Sequence, residues 1–129
     1  MREHRLVSEE LRKKALVLES GKACWSGVDI EAALKEITGA RQVILGFDIC
    51  ERLPDGTLKD CGTSGFQMAQ ILPRAPWEEC VLMSLALAVR DVRDTKRLTG
   101  LEPPFSELWY CVVALDRVSL ARYLRGEDS

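Results

Sequence analysis

Cysteine is the residue type in this chain with the widest chemical range, and the five cysteines are scattered between Cys24 and Cys111. No two of them form a Cys-x-x-Cys pair, whereas a zinc site normally needs clustered Cys or His ligands. A catalytic cysteine also needs a base, usually histidine, but the single histidine is His4, near the N-terminus. Cys50, Cys80 and Cys111 lie in apolar segments, where a thiol behaves as a small hydrophobic group. The pattern therefore predicts five reduced cysteines, no disulfide and no metal site.

Paired carboxylates are the second candidate chemistry, because two of them can act as general acid and base. The pairs Glu9–Glu10 and Glu78–Glu79 lie at expected helix starts, where the helix dipole favours acidic side chains. Gly62 is not followed by the Gly-Lys-Ser/Thr sequence of a phosphate-binding loop. We therefore expect a protein that is not an enzyme and binds no cofactor.

Asp48 is the polar residue that is hardest to explain by folding alone, because it interrupts the apolar run from Val43 to Ile49. It could face solvent on the second face of a sheet, or it could belong to a surface that binds a partner. Acids on the rim of a hairpin could steer a basic partner, or could simply keep a sheet edge soluble. The residues of this hypothetical binding rim are Asp48, Glu51, Asp55 and Asp60.

The composition is that of an ordinary globular protein, with 47% hydrophobic and 29% charged residues in 129. We expect a single domain over residues 1–129, with residues 1–7 and 126–129 frayed. The net charge of −2 lacks the basic excess of a nucleic-acid binder. No stretch approaches the roughly 18 apolar residues of a membrane span, and the N-terminus does not resemble a signal peptide. A cytoplasmic location without nucleic-acid or membrane partners is the expectation.

Apolar periodicity predicts an α+β fold with a small, mainly antiparallel sheet. A first helix is expected from residue 9 to about 20, and a second after a capping box formed by Ser26 and Asp29. Residues 62–75 are expected to form a loop, and Asp116 to cap a short final helix. A long helix should cover the sheet and bury Leu85, Val89, Val112 and Val113 almost completely. The strands are expected near 42–51, 57–61 and 108–115, and the long helix at 76–99.

One family resemblance rests on the segment Ala33-Leu34-Lys35-Glu36-Ile37 followed by Ile44-Leu45-Gly46-Phe47-Asp48-Ile49. This segment resembles bacterial immunity proteins of polymorphic-toxin systems, of the immunity protein 40 type. In that family a short apolar helix precedes a similar strand, and an aromatic residue follows in the next segment, as Phe66 does here. The resemblance covers about residues 25–116.

The resemblance implies an intracellular protein that neutralises a cognate toxin domain by stoichiometric protein–protein binding. It adds Phe66 to the hypothetical binding residues. The alternative hypothesis is an intracellular module that binds a small ligand or a regulatory partner, without catalysis, in a pocket between the sheet and the long helix.

Overall fold

The structure, a computed structural model, describes residues 6–18, 22–53, 55–65, 75–99 and 108–124. Its helices and strands pack about one antiparallel sheet, which confirms the α+β class. In chain order the elements are α1 (Glu9–Lys14), β1 (Leu16–Val17), β2 (Ala23–Ser26), α2 (Ile30–Gly39), β3 (Val43–Arg52), β4 (Leu58–Gly65), α3 (Trp77–Thr99), β5 (Leu108–Leu115) and α4 (Arg117–Leu124).

The sheet has five strands in the order β1-β2-β5-β3-β4, and each neighbouring pair is antiparallel. The late strand β5 lies at its centre, between β2 and β3, as its uncharged sequence predicts. Its register with β3 runs from Val43 opposite Leu115 to Glu51 opposite Leu108. The three expected strands are therefore confirmed, with β5 in the expected central place.

Helices α2 and α3 cover one face of the sheet, which we call the helix face. The apolar stripe of α2 and the inner side of α3 meet alternate side chains of β2, β3 and β5 in one core. Burial of this apolar surface is the main contribution to stability. The largest members of the core are Trp25, Ile30, Leu34, Ile37, Ile44, Phe47, Tyr110, Val92 and Val112.

Ser84 is a fully buried polar residue on the inner side of α3. Its hydroxyl donates to the carbonyl of Val81 at 2.9 Å and accepts from the backbone N–H of Ile44 at 3.1 Å. The register between β3 and β5 shifts between Ile44 and Gly46, so the sheet ladder is irregular at this N–H. Ser84 therefore supplies a bond that links the long helix to the irregular part of the strand.

We expect Ser84→Ala to lower the free energy of unfolding by about 1–3 kcal/mol, because it leaves the buried Ile44 N–H without an acceptor. Urea denaturation followed by circular dichroism measures the effect. An unchanged midpoint would show that another group satisfies this N–H.

Tyr110 is a second residue of this core with a buried hydroxyl, and it differs from Ser84 in its hydrogen bonding. The side chain is fully buried against Phe47, with ring centroids 5.2 Å apart, and its hydroxyl has no hydrogen-bond partner among the described residues. Burial raises the pKa of Tyr110 to about 12. The hydroxyl is therefore neutral at physiological pH and costs desolvation energy without a compensating bond.

Tyr110→Phe is expected to leave stability unchanged or to raise it by up to about 1–3 kcal/mol, since it removes an unsatisfied buried hydroxyl and keeps the ring. The same denaturation experiment measures it beside Ser84→Ala. Loss of stability would mean that the hydroxyl has a partner after all.

The N-terminal region differs from expectation. The first helix ends at Lys14, where Ala15 takes an extended conformation, and not near residue 20. The expected capping box is wrong, because Ser26 lies in strand β2 and Asp29 makes no side-chain capping bond. The cause is tertiary: Trp25 is fully buried, and its indole N–H donates to the carbonyl of Leu11 at 2.9 Å. Pairing with β5 and this anchor outweigh the local capping preference.

Three further expectations need correction. Strand β4 continues to Gly65, so residues 62–65 are not a loop; their backbone groups pair with β3 from Ile49 to Gly46. Val112 is fully buried as expected, but Leu85, Val89 and Val113 are only partly buried. Val7, in the segment expected to fray, is 3% exposed and belongs to the core.

The remaining local signals are confirmed. Gly56 adopts a φ of 90° in the turn between β3 and β4, a conformation that glycine tolerates. Asp116 accepts from the backbone N–H of Ser119 at 2.7 Å and so caps α4, and this bond lowers the pKa of Asp116. Residues 1–5 and 126–129, expected to fray, lie outside the described residues.

Candidate functional site

Asp48 lies on the sheet face opposite the helices. It is paired in register with Cys111, whereas its neighbours Phe47 and Ile49 point into the core with α2 and α3. Its carboxylate forms an ion pair with Lys22, with Oδ2 and Nζ 3.2 Å apart. This contact joins β3 to Lys22, the residue that precedes β2.

The structure describes the side chains of two other residues of the hypothetical rim, Glu51 and Asp55. Glu51 is in register with Leu108, a core residue, so it lies on the other side of β3 from Asp48. Asp55 accepts from the backbone N–H and the hydroxyl of Thr57 at 3.0 and 2.7 Å, and these bonds lower its pKa and order the turn. The backbone of Asp60 pairs with Cys50, while its side chain and all of Phe66 lie outside the described residues.

A surface that the sequence interpretation missed lies on the outer side of α3. Leu82 is 66% exposed and Met83 is 38% exposed, and the exposed Ala86 lies between them one turn further along. These three residues, together with the exposed Glu79 and Arg90, are called the outer surface of α3. Apolar residues all around the first turns of the helix predicted burial on more than one side, which is wrong for this side. The exposed apolar residues lie on the side of the helix opposite the buried stripe of Cys80, Ser84 and Ala88, so helical spacing alone could have located them.

Ion pairs lie at both ends of this surface. The guanidinium of Arg41 pairs with the carboxylate of Glu78, and that of Arg93 pairs with Glu31 at 3.0 Å. The first pair joins α3 to Arg41, which follows the C-cap of α2, and the second pair joins α3 to α2 itself. Both guanidinium groups are largely exposed, so each pair adds little stability.

A cleft of about 300 Å³ opens where α2 ends and where α3 and α4 begin. The indole N–H of Trp77 donates to the carbonyl of Arg41 at 3.0 Å, which fixes the ring at the edge of the cleft. Arg41 has a φ of 63°, so the chain turns sharply as it enters β3. The cleft offers aromatic, cationic and acidic groups, and its lining is Ala40, Arg41, Gln42, Trp77, Asp116, Arg117 and Val118.

The cysteines contradict the expectation of five reduced thiols. Cys24 and Cys111 form a disulfide between the directly paired strands β2 and β5, with a Cα–Cα distance of 4.0 Å. This disulfide was not predicted, because strand β2 and its register with β5 were not predicted. Cys50 also packs against this pair, on the sheet face that carries Asp48, and we call this side the cysteine face.

None of the helices within the described ranges is long and apolar enough to cross a membrane. No group of three or more His, Cys, Asp or Glu side chains in those ranges is arranged to hold a metal ion. A scan against protein-family models found no match, and searches of curated proteins and of solved structures found none either.

Proposed function

We propose that this protein acts by stoichiometric binding to another protein through the outer surface of α3. The observation that carries the proposal is the exposure of Leu82 and Met83 side by side on a helix whose opposite side is buried in the core. Adjacent apolar side chains within a charged rim are typical of the centre of a protein interface. Glu79 precedes the apolar centre and Arg90 follows it, so the surface fits a partner with an apolar anchor between a basic and an acidic group.

Neutralisation of a cognate toxin domain is the biological role that we propose for this binding. The support is the resemblance of residues 33–37 and 44–49 to immunity proteins, together with a surface suited to a protein partner. The cytoplasmic location expected from the sequence fits poorly with the Cys24–Cys111 bridge, since disulfides persist mainly in oxidising compartments. The bridge therefore favours action in such a compartment, for example the bacterial periplasm.

Leu82→Asp tests the binding surface. We expect it to weaken binding to the cognate toxin domain by at least about tenfold, because a desolvated carboxylate replaces an apolar anchor. Co-expression survival and isothermal titration calorimetry with that toxin domain measure the effect. Leu82 is largely exposed, so thermal melting should show a fold as stable as the wild type.

Two control variants locate the surface. Val28→Asp places the same charge at a side chain that is 90% exposed in the turn before α2, and it should bind normally. The double variant Glu51→Lys, Asp55→Lys reverses charge on the hairpin and should also bind normally. Normal binding by Leu82→Asp would exclude the outer surface of α3, and lost binding by the hairpin variant would move the site to the hairpin.

The cleft beside Trp77 supports a second candidate function, the binding of a small ligand. Its volume of about 300 Å³ is at the lower end of ligand pockets, and the aromatic ring beside Arg41 and Arg117 suits a small anionic aromatic molecule. A thermal-shift screen of aromatic carboxylates tests it. Stabilisation of the wild type that is lost in Arg117→Ala supports this function, and the absence of any stabilising compound argues against it.

A further inference from the structure

Three cysteines lie on three neighbouring strands of the cysteine face. Cys111 is on the central strand β5, Cys24 is opposite it on β2, and Cys50 is on β3 at the other side. The Sγ atom of Cys50 is 4.0 Å from that of Cys111. Because Cys111 is already in the disulfide, the thiol of Cys50 is the donor in this contact and points toward the bridge.

The environment separates this thiol from external reagents. Cys24 and Cys111 are fully buried, and Cys50 is 8% exposed. Apolar side chains pack around the three sulfur atoms, so a thiol in solution reaches the bridge poorly. Cys50, in contrast, is held beside the bridge at a high effective concentration. The apolar neighbours are Leu16, Leu18, Leu58 and Trp109.

We propose that Cys24, Cys50 and Cys111 form an intramolecular thiol–disulfide exchange site. Cys50 gives up its proton, and its sulfur attacks the sulfur of Cys111. The Cys50–Cys111 bond forms as the Cys24–Cys111 bond breaks, and Cys24 leaves as a thiolate that takes up a proton. One disulfide and one thiol are present before and after the step, so it needs no oxidant or reductant.

The strand order places both partners of this exchange beside Cys111. Strand β5 lies between β2 and β3, so Cys24 and Cys50 flank Cys111 from opposite sides of the central strand. Cys50 is in register with Trp109, two residues from Cys111, and therefore contacts Cys111 diagonally. Diagonal Cα atoms are roughly 7–8 Å apart, so the new bridge requires a small backbone shift and is the minor form.

The exchange changes what the disulfide holds together. In the major form it fastens the hairpin of β1 and β2 to the centre of the sheet. That hairpin is otherwise held to β5 by three residue pairs, from Cys24 opposite Cys111 to Ser26 opposite Trp109. In the minor form the bridge joins β3 to β5, which already pair along their whole length, and the edge hairpin loses its covalent link. The exchange therefore determines whether the hairpin of β1 and β2 is covalently linked to β5.

Disulfide mapping of the whole protein tests the proposal. The chain is incubated at about pH 8, where thiolates form. It is then quenched with acid, unfolded in urea and alkylated with N-ethylmaleimide at mildly acidic pH, digested with pepsin at low pH and analysed by mass spectrometry. The wild type should contain a major Cys24–Cys111 link and a minor Cys50–Cys111 link. The minor link should be lost in Cys50→Ser and retained in Cys80→Ser, whose thiol lies in a different cluster.

A second variant gives an independent readout. Cys24→Ser, refolded from urea in the presence of the thiol oxidant diamide, should join Cys50 to Cys111. A link from Cys111 to any other cysteine, or a folded variant in which Cys111 stays reduced, contradicts the proposal. If Cys24→Ser does not fold, the wild-type map decides alone. Absence of the Cys50–Cys111 link from the wild type overturns the exchange whatever the variant shows.

Discussion

Loss of the disulfide through Cys111→Ala is expected to lower the free energy of unfolding by up to about 4–5 kcal/mol. The bridge joins residues 87 positions apart, so it removes much of the conformational entropy of the unfolded chain. Urea denaturation of the wild type and the variant, each with and without reductant, measures this effect. Reductant should destabilise the wild type and leave Cys111→Ala unchanged, and equal stability of the two oxidised proteins would contradict the expectation.

Cys24→Ala is the informative companion to this variant. Under oxidising conditions Cys50 can take over the bond to Cys111, and their separation of 61 residues closes a loop of similar entropy. Oxidised Cys24→Ala should therefore lose less stability than oxidised Cys111→Ala. The two variants should be equally stable once both are reduced, apart from differences in side-chain packing.

The second large effect is expected for Trp25→Ala, which should cost about 3–5 kcal/mol through lost apolar burial and the cavity left behind. The side chain is fully buried in the main core, and its N–H donates to the carbonyl of Leu11 in α1. Trp25→Phe keeps most of the packing and loses the bond to the Leu11 carbonyl, so its cost should be about 1–2 kcal/mol.

Trp109→Ala is a control that shows whether the loss of any tryptophan lowers stability as much as the loss of Trp25. Trp109 is only partly buried and contacts the guanidinium of Arg52, which is 5.6 Å from the ring centre. Trp109→Ala should therefore cost clearly less than Trp25→Ala in the same urea experiment. Similar costs for both would show that the N-terminal anchor contributes less than its burial indicates.

The elements predicted correctly are those whose signals are local. Strand β5 has an uncharged run, α3 has a long helical period, and Asp116 is a capping residue at the start of α4. Strands β1 and β2 have two and four residues, too few for a periodic pattern. They form because β5, more than eighty residues later, pairs with Trp25 and its neighbours. No local pattern contains that information, and the disulfide was missed for the same reason.

The candidate site was predictable only in part. Asp48 and Cys50 share a face of β3, as the alternation of side chains along a strand requires, but the Lys22 partner and the contact between Cys50 and Cys111 depend on other strands. The outer surface of α3 was missed because an apolar residue such as Leu82 indicates burial unless the number of neighbouring elements is known. That number depends on the arrangement of the whole chain.

The central position of β5 has a consequence for synthesis on the ribosome. The hairpins β1–β2 and β3–β4 are local and can form early, but both pair with β5, which is the last strand to be made. Until residue 115 has emerged, the inner edges of β2 and β3 lack their partner and the core between them stays open. A nascent chain that stalls before this point presents two sheet edges to its surroundings. Unpaired strand edges of this kind are prone to aggregate until β5 enters the sheet.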